Sequence, residues 1–90
     1  MLFTVKPDSK NAFRQAVLEN AARSLALETG CKVFDVCESP AASEFFLYEV
    51  YASEQDFHAH LQTDHYREFE QLCSSWVTAK QVTKYAKLPA

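Results

Sequence analysis

Ninety residues, 48% hydrophobic and 23% charged, describe one folded domain: a second core does not fit in that length, and the composition excludes a disordered chain. Nine basic residues against twelve acidic ones leave a net charge of −3 with no Arg-rich run, which excludes phosphate-driven nucleic-acid binding. No apolar run approaches the ~20 residues that span a bilayer and no secretory h-region follows Met1, so a cytoplasmic protein without a membrane partner is expected.

Leu2-Phe3-Thr4-Val5 is a β-type run stopped by Pro7, giving a first strand over residues 1–6. Asp8 or Ser9 can cap a long helix over 9–29, whose interior is rich in Ala, Leu, Glu, Arg and Gln. Gly30, the single glycine of the chain, is placed to end it as a C-cap. The stripe Phe13, Ala16, Val17, Asn20, Ala21, Ser24 follows helical spacing and faces the sheet. Asn20 and Ser24 are polar members of that stripe. They either bond to backbone or line a wet cavity.

Strands follow over 31–38 and 44–52, separated by Ser39-Pro40-Ala41-Ala42-Ser43. In the second of these, one parity gives Phe45, Leu47, Glu49 and Tyr51, and the other Phe46, Tyr48 and Val50. Both faces are largely apolar, whereas the helices of so short a chain cover only one. A second copy is expected on the other, as a homodimer. Cys31 and Cys37 are roughly 20 Å apart on one strand, too far for a disulfide, and with Cys73 they read as small buried thiols.

Ser53, with an acid three residues later, opens a helical region over 54–79, and Thr63 can cap its second part. Phe57, His60 and Leu61 share one face while His58 points away; His65, Phe69, Leu72, Cys73 and Trp76 form the following stripe. A last strand is expected over 81–88. The order β-α-β-β-α-β specifies an α+β, ferredoxin-like domain over residues 1–90 with a four-stranded antiparallel sheet.

His60 and His65 thus lie on inward faces near a strand carboxylate, Glu49. They are either satisfied core residues or an acid–base pair, for which an imidazole titrating near neutrality is suited. Tyr48 and Tyr51 could add phenolic donors. Two histidines and a carboxylate are also the ligand types of a non-haem iron triad, but the H-x4-H spacing is interrupted by Thr63 and is not H-E-x-x-H. No metal is therefore assigned. With one glycine there is no phosphate-cradling loop for a nucleotide or flavin, and no cofactor is expected.

The series Glu28-Thr29-Gly30-Cys31-x-x-Phe34-Asp35-Val36, Phe46-Leu47-Tyr48-Glu49-Val50-Tyr51 and Phe57-x-x-His60-Leu61-x-Thr63-x-His65-Tyr66 resembles the antibiotic biosynthesis monooxygenase domain family. That family includes cofactor-free quinol monooxygenases and an autoinducer-2 phosphate isomerase branch. The resemblance implies a dimeric α+β barrel with a cavity between sheet and helices, and puts Asn20, Ser24, Glu49, His60 and His65 near it. The haem-degrading branch uses an Asn on the first strand, which Leu2–Val5 lacks.

The resulting expectation is a cofactor-independent monooxygenase of a small phenolic or quinol-type aromatic. His65 or His60 would accept the proton, Glu49 orient it, and Asn20, Ser24 and Tyr48 contact the substrate. Two alternatives stand beside it. One is an isomerase of a small keto sugar or phosphorylated dione, with Arg23 or Lys32 as the cation. The other is a ligand-binding dimer without catalysis.

Overall fold

The computed structural model describes residues 1–89. Strand β1 (Leu2–Val5) leads through a 3-10 turn at Pro7–Ser9 into helix α1 (Lys10–Leu27). Strands β2 (Cys31–Glu38) and β3 (Glu44–Tyr51), helices α2 (Glu54–His60) and α3 (Asp64–Cys73), and strand β4 (Val77–Gln81) follow. The strands make one antiparallel sheet in the order β2-β3-β1-β4, the ferredoxin-like arrangement.

Helix α1 lies on β2 and α3 and buries Phe13, Val17, Asn20, Ala21 and Ser24, the stripe its sequence marks out; Ala16 is half-buried. Phe13 stands at the centre of an aromatic group. Its ring centroid is 4.8 Å from Phe45, 5.3 Å from Phe3 and 5.8 Å from Phe69. Tilted aromatic pairs at such distances contribute beyond the area they bury. The group ties α1 to the two central strands and to α3.

The period of β3 sorts its side chains cleanly. Phe45 and Leu47 are buried under the helices with Glu49 and Tyr51 on the same face, whereas Phe46 and Tyr48 are about half exposed on the other. Register places Leu2 and Cys37 beside Phe46, Asp35 beside Tyr48, and Val33 beside Val50 on that outer face. The outer face is therefore apolar at its centre and uncovered in the single chain.

The C-terminal half departs from expectation. The helical region expected over 54–79 has its two parts in α2 and the Thr63-capped α3, but α3 ends at Cys73 and Val77–Gln81 is already the last strand. Trp76-Val77-Thr78 is β-branched and aromatic, and this local preference wins once Ser74 and Ser75 end the helix. The strand expected over 81–88 stops at Gln81 because Gln81 pairs with Leu2, where the ladder with β1 is exhausted. Val82–Pro89 continues without regular structure, with Tyr85 and Leu88 exposed.

Three smaller points also change. Leu72 faces solvent, not the core, because α3 buries His65, Tyr66, Phe69 and Cys73 instead. Cys37 is exposed on the outer sheet face, while Cys31 and Cys73 are buried as expected. Gly30 is not a left-handed cap: no glycine has positive φ, and Glu28 is the C-cap residue. Its role is close approach, since a Cβ there would stand 2.3 Å from Asp56 Cγ. That contact seats the first turn of α2 against the α1–β2 connection. Among the described residues, no helix is long and apolar enough to cross a membrane.

Candidate active site

Two capped helix starts bring the histidines inward. Ser53 Oγ accepts from the Asp56 backbone N–H at 3.2 Å and starts α2, which delivers His60 at its last turn. Thr63 Oγ1 accepts from the Tyr66 N–H at 3.2 Å and donates to the His60 carbonyl at 2.7 Å. One threonine thus closes α2, opens α3, and sets the turn that puts both imidazoles side by side. His58, on the opposite face of α2, is exposed beside Glu54.

The partner that joins the histidines is Glu28. Its Oε2 accepts from His60 Nδ1–H at 2.8 Å and from His65 Nε2–H at 2.5 Å. A carboxylate oxygen that accepts from both rings requires the proton on the nitrogen facing it, a tautomer assignment made from this geometry. His65 then keeps Nδ1 as its acceptor, and His60 keeps Nε2. Sequence reading missed Glu28 because it lies past the apolar stripe, at the C-cap of α1. The signal was there: Asn20, Ser24 and Glu28 follow one another at i, i+4, i+8, a polar stripe at helical spacing.

Glu49 occupies a different place from the one expected. It approaches His60 Nε2 only to 3.9 Å and instead accepts from the Tyr51 hydroxyl at 2.6 Å. Orientation of the imidazoles falls to Glu28, and Glu49 sits behind His60. Burial is the main cause that holds the Glu49 carboxyl above its ordinary value, outweighing the Tyr51 hydrogen bond and the proximity of His60. Burial and the neighbouring Glu49 also push the Tyr51 phenol up. Two of these atoms, Glu49 Oε2 and His60 Nε2, are buried without any hydrogen-bond partner.

His60 is fully buried inside an aromatic cage. Its centroid lies 5.0 Å from Tyr66, 5.5 Å from Tyr51 and 5.9 Å from Phe34. Ser24 Oγ donates to the Asn20 carbonyl at 2.8 Å and stands 3.4 Å from His60 Nδ1. Ser24 therefore takes the backbone-bonded alternative. Asn20 differs: its buried Oδ1 has no partner, and the residue lines a cleft of about 80 Å³ with Ala16, Arg23, His65, Phe69 and Leu72, beside Glu19 and Glu68.

Of the expected site residues, Asn20, Ser24, Glu49, His60 and His65 converge between sheet and helices. Tyr48 does not: the strand period turns it to the outer face, half exposed. Arg23 stands at the cleft but is engaged by Glu19 at 2.9 Å and Glu68 at 3.3 Å. Lys32 is exposed and donates to the Thr29 carbonyl. A larger hollow of about 470 Å³ lies along Asp64, Arg67, Glu68, Glu70 and Gln71, on the outward side of α3 and away from the histidines.

A family model described as antibiotic biosynthesis monooxygenase matches residues 1–72. The chain belongs to that family. Among solved structures, a protein of Nitrosomonas europaea, whose name places it provisionally among antibiotic biosynthesis monooxygenases, is 31% identical with a TM-score of 0.83. That match covers 88% of this chain and 76% of its own. Rv0793 from Mycobacterium tuberculosis is 27% identical with a TM-score of 0.88, over 99% of this chain and 91% of its own. A Caulobacter crescentus protein at 24% identity and a TM-score of 0.82, covering 88% and 76%, shares the fold. No protein in the comparison with curated sequences matches. Membership in the antibiotic biosynthesis monooxygenase family supports monooxygenase chemistry at family level, while the substrate is a separate question.

Proposed function

We propose that this chain is a cofactor-independent monooxygenase of a small phenolic aromatic, with His65 as the base and Glu28 as the group that orients it. The observation that carries the reading is the 2.5 Å hydrogen bond from His65 Nε2–H to Glu28 Oε2, on a histidine that lines the Asn20 cleft. A carboxylate behind one imidazole nitrogen fixes the tautomer, leaves the other nitrogen as proton acceptor, and stabilises the imidazolium formed.

The step balances without an added reductant. His65 Nδ1 takes the phenol proton, and the anion becomes electron-rich at the ring carbon para to oxygen. That carbon bonds one atom of O2. The O–O bond then breaks, one oxygen remains as a new carbonyl, and the other leaves as water with the ring hydrogen and the hydroxyl proton. The substrate supplies all four electrons. Asn20, with a side-chain oxygen lacking a partner, is placed to bind the substrate hydroxyl. Phe69 is the aromatic wall of the cleft that His65 lines, while the rings of Phe34, Tyr51 and Tyr66 surround His60 behind it.

The cleft of about 80 Å³ is smaller than the ~300 Å³ at which small-molecule sites begin. A ring therefore requires a wider cleft than the one lined by exposed Leu72 and by Arg23, which Glu19 and Glu68 hold. That narrowness favours one second reading, a ligand-binding dimer in which the histidines satisfy buried groups. The dimer belongs to both readings, with the outer sheet face of Leu2, Val33, Phe46, Tyr48 and Val50 as its contact.

Oxygen uptake with a panel of phenols and quinols in metal-free buffer tests the proposal. Uptake is expected with the wild type and lost on His65→Ala. Uptake that survives both His65→Ala and His60→Ala would remove the assignment. A single-chain mass by light scattering would remove the dimer.

A further inference from the structure

The geometry points to Glu28, His60 and His65 as a binding site for a first-row divalent transition-metal ion, held by one carboxylate oxygen and two imidazole nitrogens. This goes beyond the monooxygenase reading and does not rest on it. An ion on His65 Nε2 leaves the ring proton on Nδ1, so the loaded chain is a state distinct from the one in which His65 takes the phenol proton. One donor atom from each of the three residues lies within 4.8 Å of the others, and all three side chains are largely buried. They come from three different elements, the C-cap of α1, the end of α2 and the first turn of α3, so the fold fixes their spacing.

Two of the three donor separations are close to those an ion requires, and the third, between the two imidazole nitrogens, is within 4.8 Å. Bonds of about 2.0–2.2 Å to nitrogen and oxygen set donors roughly 3–3.4 Å apart around a four- or six-coordinate ion. His60 Nδ1 and His65 Nε2 stand 2.8 and 2.5 Å from the same oxygen, Glu28 Oε2, because each pair shares a proton. Replacing the two protons by one ion needs an opening of less than about 1 Å at each contact. Two nitrogens and one carboxylate suit Zn²⁺, Co²⁺, Fe²⁺ or Ni²⁺, and are too poor in oxygen for Mg²⁺ or Ca²⁺.

An independent observation supports the site. Without an ion, His60 donates through Nδ1, which leaves Nε2 unprotonated, buried and unpartnered, 3.9 Å from Glu49 Oε1. Metal on Nδ1 puts the proton on Nε2, where it faces that carboxylate. A ligating histidine whose second N–H meets a carboxylate is the usual support of such ions. Tyr51 already holds Glu49 through the 2.6 Å hydrogen bond, and Ser24 Oγ stands beside Nδ1. The same rearrangement gives the otherwise unpartnered His60 Nε2 a proton directed toward Glu49 Oε1, the oxygen that also accepts from Tyr51. Three protein ligands leave at least one position for water.

The test uses the full chain stripped with a chelator, then titrated with Zn²⁺ calorimetrically and with Co²⁺ by visible absorption. One ion per chain with a Kd of about 1 μM or tighter is expected, with intense four- or five-coordinate Co²⁺ bands bleached by Zn²⁺. Glu28→Ala and His65→Ala should each weaken Zn²⁺ at least ~100-fold, and Glu49→Gln ~10–100-fold, while His58→Ala leaves it unchanged. If a variant fails to fold, the wild type decides alone: Zn²⁺ at ~100 Kd must raise its unfolding free energy by about 2.7 kcal/mol. A Kd weaker than about 100 μM, or loss confined to His58→Ala, overturns the site. Oxygen uptake is read separately in metal-free buffer, so either idea can fail without the other.

Discussion

The two ends of the core are built on opposite principles. At one end the rings of Phe3, Phe13, Phe45 and Phe69, with Val5, Val17, Leu47 and Cys73 in the same cluster, fill the space between α1, the central strands and α3 with apolar groups. At the other end the same helix and sheet enclose Asn20, Ser24, Glu28, Glu49, His60 and His65, and leave three buried polar atoms without partners. An apolar core gains free energy in proportion to area and tolerates no gap. A polar core costs desolvation and is retained only where its groups are needed in a fixed geometry. The aromatic end therefore reads as the source of stability and the polar end as the site.

The largest expected effect tests the first half of that contrast. Phe13→Ala opens a cavity among three other rings and should cost about 3–5 kcal/mol, read as the urea midpoint multiplied by its slope. A loss below about 1 kcal/mol would show that the aromatic end does not carry the fold. At the polar end the division should reverse. His65→Ala should lower oxygen uptake by ~10²-fold or more while costing less stability than Phe13→Ala. A greater loss of stability than Phe13→Ala would make His65 a structural residue.

Gly30→Ala probes the joint between the ends, where the added Cβ collides with Asp56. A cost of about 1–3 kcal/mol is expected, partly recovered in the double variant with Asp56→Ala. Equal stability of wild type and Gly30→Ala would mean that α2 shifts freely.

Smaller still is the pH dependence at Glu49. Its carboxyl is held above the ordinary 4.5 chiefly by burial. The folded chain thus keeps a proton that the unfolded chain releases, and wild-type stability falls as pH rises through the raised value. Glu49→Gln removes that fall. Its urea midpoint relative to wild type should improve from pH 4 to pH 7, and parallel pH profiles would place Glu49 in solvent.

The mildest probe is thiol reactivity. Cys37 on the outer face should react first with a disulfide reagent, and slowly if a second copy covers it. Cys31 and Cys73 are buried thiols, each with its pKa pushed up to about 11, and should wait for unfolding.

Much of the molecule was written in local pattern. The Phe13–Ser24 stripe, the β3 alternation, the Ser53 and Thr63 caps, and the inward pair His60 and His65 follow from spacing alone, because helical and strand periods are properties of the backbone. The class of fold followed from their order. Three features did not. The early end of α3 and the start of β4 at Val77 depended on pairing with β1, a contact far away in sequence. Gly30 looked like a cap and proved to be a gap filled by Asp56, which only packing reveals. The carboxylate that joins the histidines is Glu28, not Glu49, because β3 sets Glu49 behind His60 while the end of α1 reaches both rings. Spacing determined which residues turn inward; only the three-dimensional meeting of α1, α2 and α3 decided which of them touch, since hydrogen bonding falls off within a fraction of an ångström.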